Sequence, residues 1–165
     1  MKPTRIVKHW LTTRWRVDRA FNRADLYAIE EAVQTCNAGL VGEICFVIEG
    51  ALDSAALFRD QSPGERAIEV FSQLRIWDTE HNNGVLIYVL LADHAVEIVA
   101  DRGVNARVGA DEWQAICHAM EAAFRRGAYR DGAIEGIRAV AQHLARHYPA
   151  NTSGRDELPD VQVMP

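Results

Sequence analysis

Between positions 22 and 148 the apolar residues switch between period two and period 3.6, and each switch predicts an element. Gly84 to Leu91 is an uncharged run rich in Val, Ile and Leu, the composition of a strand buried on both faces. Ala92-Asp93-His94 is short and polar, so the following strand is expected to fold back antiparallel. There Val96, Ile98 and Ala100 alternate with Glu97, Val99 and Asp101, which predicts one more exposed face. Glu43 to Glu49 alternates likewise, with Ile44, Phe46 and Ile48 set against Cys45, Val47 and Glu49. This pattern brings the polar loops at 78–83 and 101–103 to one end of the hairpin.

The helical stretches carry their own start and stop signals. Asn22 and Asp25 have the form of a capping box ahead of the stripe Leu26, Ile29, Val33 and Cys36, which Gly39 closes. The link from Gly50 to Gln61 has room for a helical turn at Ser54–Phe58. Ser62-Pro63-Gly64-Glu65 combines a cap, a proline at the first helical position and a glutamate at the third. That helix is expected to reach about Ile76, with Ala67, Val70, Phe71 and Leu74 inward and Arg66 and Glu69 within reach of loop groups. Gly103 to Gly109 reads as a loop, and Asp111 as the cap of a helix bearing Trp113, Ile116, Cys117, Met120 and Phe124. Gly127 ends it. A last helix is predicted over about Arg130 to Tyr148, with Ile134, Ile137, Ala141 and Leu144 inward and Pro149 beyond. Three strands buried in this order need helices on both faces. The expected fold is therefore α/β, a three-layer α/β/α sandwich around a small mixed β-sheet. Residues 150–165 are polar, contain Asp156, Glu157 and Asp160, and read as a disordered acidic tail. The expected organisation is an arm over 1–21, a domain over 22–149 and that tail.

Composition adjusts this picture at the N-terminus. The 165 residues carry a net charge of −5, which argues against nucleic acid as a partner. Yet Lys2, Arg5, Lys8, Arg14, Arg16 and Arg19 face only Asp18 within the first twenty residues, interleaved with Trp10 and Trp15. Two readings follow. The arm either anchors at an anionic membrane surface or packs its tryptophans on the domain, the commoner use of that residue. No run approaches the roughly 20 apolar residues of a membrane span, and the start has no signal-peptide pattern. The expected location is cytoplasmic, peripheral at the inner membrane if the arm anchors. Cys36, Cys45 and Cys117 lack paired spacing and sit in apolar patterns, as buried free thiols do in a reducing compartment.

Candidate chemistry is confined to the loops. GxGxxG, GxxxxGK[ST], GxSxG, HExxH and CxxC are all absent, which argues against a nucleotide cofactor. His143 and His147 have the spacing of a helical metal pair, but histidines near a helix C-terminus also favour the dipole. Asp78, Thr79, Glu80, Asn82 and Asn83 lie in one loop, and Asp101 in the other. Such oxygen-rich loops suit a hard cation, Ca²⁺ or Mg²⁺, with Asp78, Asn82, Asn83 and Asp101 as the candidate ligands. Asn82-Asn83-Gly84 is equally readable as a turn and nothing more.

Four stretches together resemble the TPM domain. They are Ala67 to Phe71, the run from Asn82 to Ile87, the run from Val96 to Gly103, and Trp113 to Tyr129 with Arg125, Gly127 and Tyr129. The resemblance covers about residues 22–148. That family is named for a thylakoid lumen protein, a photosystem II repair protein and a modulator of a nematode receptor. It implies an α/β/α fold and a domain often found in membrane-associated proteins, here without a membrane span. It also implies calcium binding in loops at one end of the sheet in some relatives, and acid phosphatase activity in a plant relative. The expected function is a non-enzymatic accessory domain with a weak cation site, whose partner is a membrane protein or an anionic membrane reached through residues 1–20. The alternative is a metal-dependent phosphatase, with Asp78 or Asp101 as nucleophile or metal ligand and Arg102 holding phosphate.

Overall fold

The computed structural model describes residues 3–12, 14–79, 82–148 and 160–164. Strands β1 (Glu43–Glu49), β2 (Gly84–Leu90), β3 (Ala95–Ala100) and β4 (Val161–Met164) form one sheet in the order β3-β2-β1-β4. β1 and β2 run parallel, with Glu43 opposite Gly84 and Glu49 opposite Leu90. β3 returns antiparallel to β2, and Tyr88 faces Glu97. Every residue of β1 and β2 is buried, as their apolar composition requires. β3 buries only Val96, which fits its polar alternation.

Eight helices surround the sheet among the described residues: α1 (Pro3–Leu11), α2 (Arg14–Ala20), α3 (Arg23–Ala38), α4 (Ser54–Phe58), α5 (Pro63–Gln73), α6 (Arg102–Asn105), α7 (Ala110–Arg125) and α8 (Tyr129–His147). On one face Ile44, Phe46, Ile48, Val85, Ile87 and Val89 meet Ile29 and Val33 of α3, Trp113 and Met120 of α7, and Ile137 and Leu144 of α8. On the other, Cys45, Val47, Leu86 and Tyr88 meet Leu57 of α4, Val70 and Phe71 of α5, and Ile76. The result is a three-layer α/β/α sandwich with a mixed sheet.

The α5 layer is also held by charge. The Arg66 guanidinium grips the buried Glu49 carboxylate bidentately, at 2.9 Å from each oxygen, and reaches Glu69 at 2.9 Å. The Tyr88 hydroxyl donates to the same Glu49. Burial, then the Glu49 charge, pushes the ionisation of Tyr88 far above its ordinary value, so it stays a donor. Removing one partner of such a pair strands a buried charge and typically costs about 3–5 kcal/mol.

Four local expectations need correction. α5 ends at Gln73 rather than near Ile76, because Arg75 adopts a left-handed φ of 54° and Ile76 N–H folds back to the Phe71 carbonyl at 3.1 Å. The cap of α7 is Gly109 rather than Asp111; Glu112, at the third helical position, accepts from Gly109 N–H at 3.1 Å, and Asp111 falls inside the first turn. The expected loop at 103–109 contains the short α6, because Asp101 caps it. Finally, Val161–Met164 is a strand where disorder is expected. It pairs parallel with β1 from Phe46 to Glu49, giving partners to backbone groups of a strand that is buried along its whole length. Gln34 and Asn37 of α3 hold the Asp160 carboxylate beside it, at 3.0 and 3.5 Å. The rest of the expected tail, 150–159, lies outside the described residues.

Leu86 is fully buried in β2, one of the two inner strands. Leu86→Asp places an unpaired carboxylate there and is expected to cost several kcal/mol, seen as loss of the cooperative thermal transition. Leu86→Met, which nearly conserves volume, is expected to cost less than about 1.5 kcal/mol.

Candidate functional site

The loops before β2 and after β3 meet at one end of the sheet. A Cβ at Gly103 would lie 2.6 Å from the Asn82 carbonyl oxygen, so the second loop crosses the first at backbone distance. Asp101 N–H donates to the Gly84 carbonyl at 2.9 Å. Asn82 takes a left-handed φ of 51°, as a turn residue does, and is exposed. Asn83 is buried; its Nδ2 donates to the Val41 carbonyl at 2.7 Å and its backbone N–H to Thr79 Oγ1 at 3.1 Å. Asp78 lies exposed in the turn after α5. Glu80 falls outside the described residues.

Asp101 is the unusual member. It is 5 % exposed, and its Oδ1 accepts from Arg102 N–H at 2.6 Å as the cap of α6. Its Oδ2 is buried without a hydrogen-bond partner. Leaving such an oxygen unsatisfied costs about 1–3 kcal/mol or more for a charged group. A second buried carboxylate belongs to Glu43, the register partner of Gly84 on β1. Glu43 and Asp101 thus flank the strand position that has no side chain. The sequence reading misses Glu43, although a glutamate opening an otherwise apolar strand is a visible signal.

Among the described residues no three His, Cys, Asp or Glu side chains converge as a metal-binding group. An oxygen site here would draw on the side-chain oxygens of Asn82 and Asn83 and on main-chain carbonyls besides Asp101. His143 stands against Trp113, ring centroids 5.6 Å apart, and 3.9 Å from a Glu112 oxygen. Burial pushes the Cys45 and Cys117 thiols up to about 12, which leaves them protonated and unreactive.

The N-terminal arm is docked on the domain, but not through its tryptophans. Trp10 and Trp15 are 70 % and 63 % exposed, beside exposed Val7 and Leu11. The inward face of α1 carries Arg5 and His9 instead, and both reach Asp93 in the β2–β3 turn. Arg5 Nε and Nη2 lie 3.0 and 2.7 Å from Asp93 Oδ2. His9 is buried; its Nδ1 accepts from Leu52 N–H at 3.0 Å, so Nε2 carries the proton offered to Asp93 Oδ1 at 3.1 Å. Val17 and Phe21 complete the seal by entering the core. No helix among the described residues is long and apolar enough to cross a membrane.

A family profile for the TPM domain matches residues 18–143. The chain belongs to the TPM domain family. Its fold is similar to the NMR structure of the BA42 protein from the psychrophilic bacterium Bizionia argentinensis. That likeness has a TM-score of 0.75 at 28% identity, over 87% of this chain and 95% of that one. The N-terminal domain of a protein from P. gingivalis shares the fold with a TM-score of 0.63 at 20% identity, over 83% of each chain. No curated protein matches the chain.

Burial would raise the Asp93 carboxyl, but the hydrogen bonds and charges of Arg5 and His9 outweigh it and hold Asp93 below the ordinary 3.8. A depressed carboxylate contributes stability that is present above its unfolded value and lost as pH falls through its folded one. The arm is therefore expected to stay docked above about pH 4 and to loosen below it. Asp93→Asn is expected to loosen it at neutral pH, with amide exchange rising across 3–20 while the strands stay protected. Unchanged exchange in α1 would show that the ion pair does not hold the arm.

Proposed function

We propose that the chain is a non-enzymatic accessory domain that binds a divalent cation, Ca²⁺ or Mg²⁺, between the two loops and acts at a membrane surface. The supporting observation is the Asp101 carboxylate, buried with Oδ2 unpartnered, at an end of the sheet crowded with amide and carbonyl oxygens. A hard cation satisfies such an oxygen. Asp101, Asn82 and Asn83 are the residues that would hold it, with the exposed Asp78 as a ligand from the loop in front. Binding only the folded state raises stability by RT ln(1 + [L]/Kd), about 2.7 kcal/mol at a hundredfold excess over Kd. Millimolar Ca²⁺ is thus expected to raise the melting temperature by several degrees if Kd is on the order of ten micromolar. Asp101→Asn keeps the shape, removes a ligand charge and is expected to abolish most of that rise. No shift in the wild type would reduce Asn82-Asn83-Gly84 to a turn.

The membrane half of the reading is supported by the outward face of the arm, where Val7, Trp10, Leu11 and Trp15 lie exposed beside Lys8, Arg16 and Arg19. Flotation with anionic liposomes is expected to recover the wild type and to lose Trp10→Ala/Trp15→Ala, with binding weakened by salt. Equal flotation of both proteins would remove the arm from the proposal.

Metal-dependent phosphomonoester hydrolysis is the second reading. Its support is Arg102, exposed and directly after Asp101 at the start of α6. A phosphomonoester assay on the wild type and Asp101→Asn separates the two: turnover lost in the variant favours the enzyme, and none in either favours the accessory domain.

A further inference from the structure

The carboxyl ends of β1 and β2, where ligands usually bind in open α/β sheets, lie opposite the Asp101 loops. A cleft of about 530 Å³ opens there, between α2, the β2–β3 turn and the start of α8. Arg16 and Arg19 line it from α2, His94 from the turn, and Arg130 from the first turn of α8. Asp25 and Asp131 are its acidic members. Asp25 is already engaged, accepting from Asn22 N–H at 3.3 Å in the capping box of α3. The Arg19 guanidinium lies over the Trp15 ring, 5.4 Å from its centroid, a stacking that leaves its N–H edge open. Among the described residues neither Arg16 nor Arg130 has an ion-pair partner. Three arginines from segments more than a hundred positions apart thus gather in a chain whose net charge is −5.

We infer that this cleft binds a phosphate group carried on a small organic body. Guanidinium groups match phosphate oxygens in pairs, and the three arginines outnumber Asp131, the lining carboxylate that no cap engages. The N-cap position of α8, Ala128, offers no side-chain cap, so the first N–H groups of that helix add to a field the arginines already make. The cleft is larger than inorganic phosphate and falls in the range of small-molecule sites, and Leu91, Ala20 and Tyr129 supply surface for the rest of the ligand. A soluble phosphate ester and the headgroup of an anionic phospholipid present the same chemistry. This inference does not depend on the cation site.

The test uses the full chain and two probes, glycerol 3-phosphate and vesicles of phosphatidylglycerol with phosphatidylcholine vesicles as control. Glycerol 3-phosphate is expected to shift the amide resonances of Gly127 to Asp131 and of His94 saturably, leaving those of Asn82 to Gly84 unmoved. Arg16→Ala/Arg130→Ala, both exposed positions, is expected to keep the wild-type melting temperature and raise Kd at least about tenfold. Arg102→Ala, at the other end of the sheet, is expected to leave Kd unchanged. Phosphatidylglycerol vesicles that displace glycerol 3-phosphate from the wild type, where phosphatidylcholine vesicles do not, identify a headgroup. Displacement by neither vesicle identifies a soluble ester. No saturable shift at Gly127 to Asp131, or an equal Kd in the double variant, overturns the assignment.

Discussion

Two parallel strands buried on both faces leave no freedom in where their backbone groups go. Each N–H and C=O of β1 and β2 must find a partner in the sheet, because water does not reach them. Everything else in the molecule accommodates that demand. Helices cover both faces, β3 and β4 cover both edges, and the chain entering β2 passes so close that a Cβ at Gly84 would stand 2.2 Å from the Ile76 carbonyl oxygen. Only glycine permits that approach. The position without a side chain is also the one flanked by the buried carboxylates of Glu43 and Asp101, so the packing constraint and the candidate chemistry meet at one residue.

The two ends of the sheet differ in electrical character. Asp101, Asn82, Asn83 and the main-chain carbonyls gather at the amino ends of β1 and β2. Arg16, Arg19, Arg130 and His94 gather at the carboxyl ends. β3 runs against its neighbour, so the loop after it returns to the amino end. A residue that follows a strand is therefore not on that account at the customary ligand end of an α/β sheet, and Asp101 illustrates the point.

What the sequence discloses is what depends on near neighbours. The boxes at Asn22/Asp25 and Ser62/Glu65 form as their spacing predicts, and the spans of β1 and α4 follow from local pattern alone. What escapes is what depends on distant partners. Val161 to Met164 is too short to display a period, and its strand character comes from pairing with β1. His9 and Asp93, 84 positions apart, look like a stray histidine and a turn residue until the fold sets them together. Trp10 and Trp15 suggest a packed arm by type, yet α1 is held by Arg5 and His9, which come before them. At the candidate site the sequence marks two loops that the fold brings together but cannot rank their carboxylates. Burial sets Asp101 apart from the exposed Asp78, and burial is a tertiary property.

The closing strand has a consequence for synthesis. β4 lies far beyond β1 in sequence, and Gln34 and Asp160, 126 positions apart, meet across its entry. A ribosome therefore releases β1 long before the strand that completes its outer edge exists. Closing so long a loop costs only slightly more entropy than closing a moderate one, but the contact cannot form until β4 itself has been made. The β2–β3 hairpin and its helices are free to assemble before β4 seals the sheet. An interrupted or trimmed chain would keep its hydrophobic layers and still display the raw edge of β1, a template on which other strands can grow.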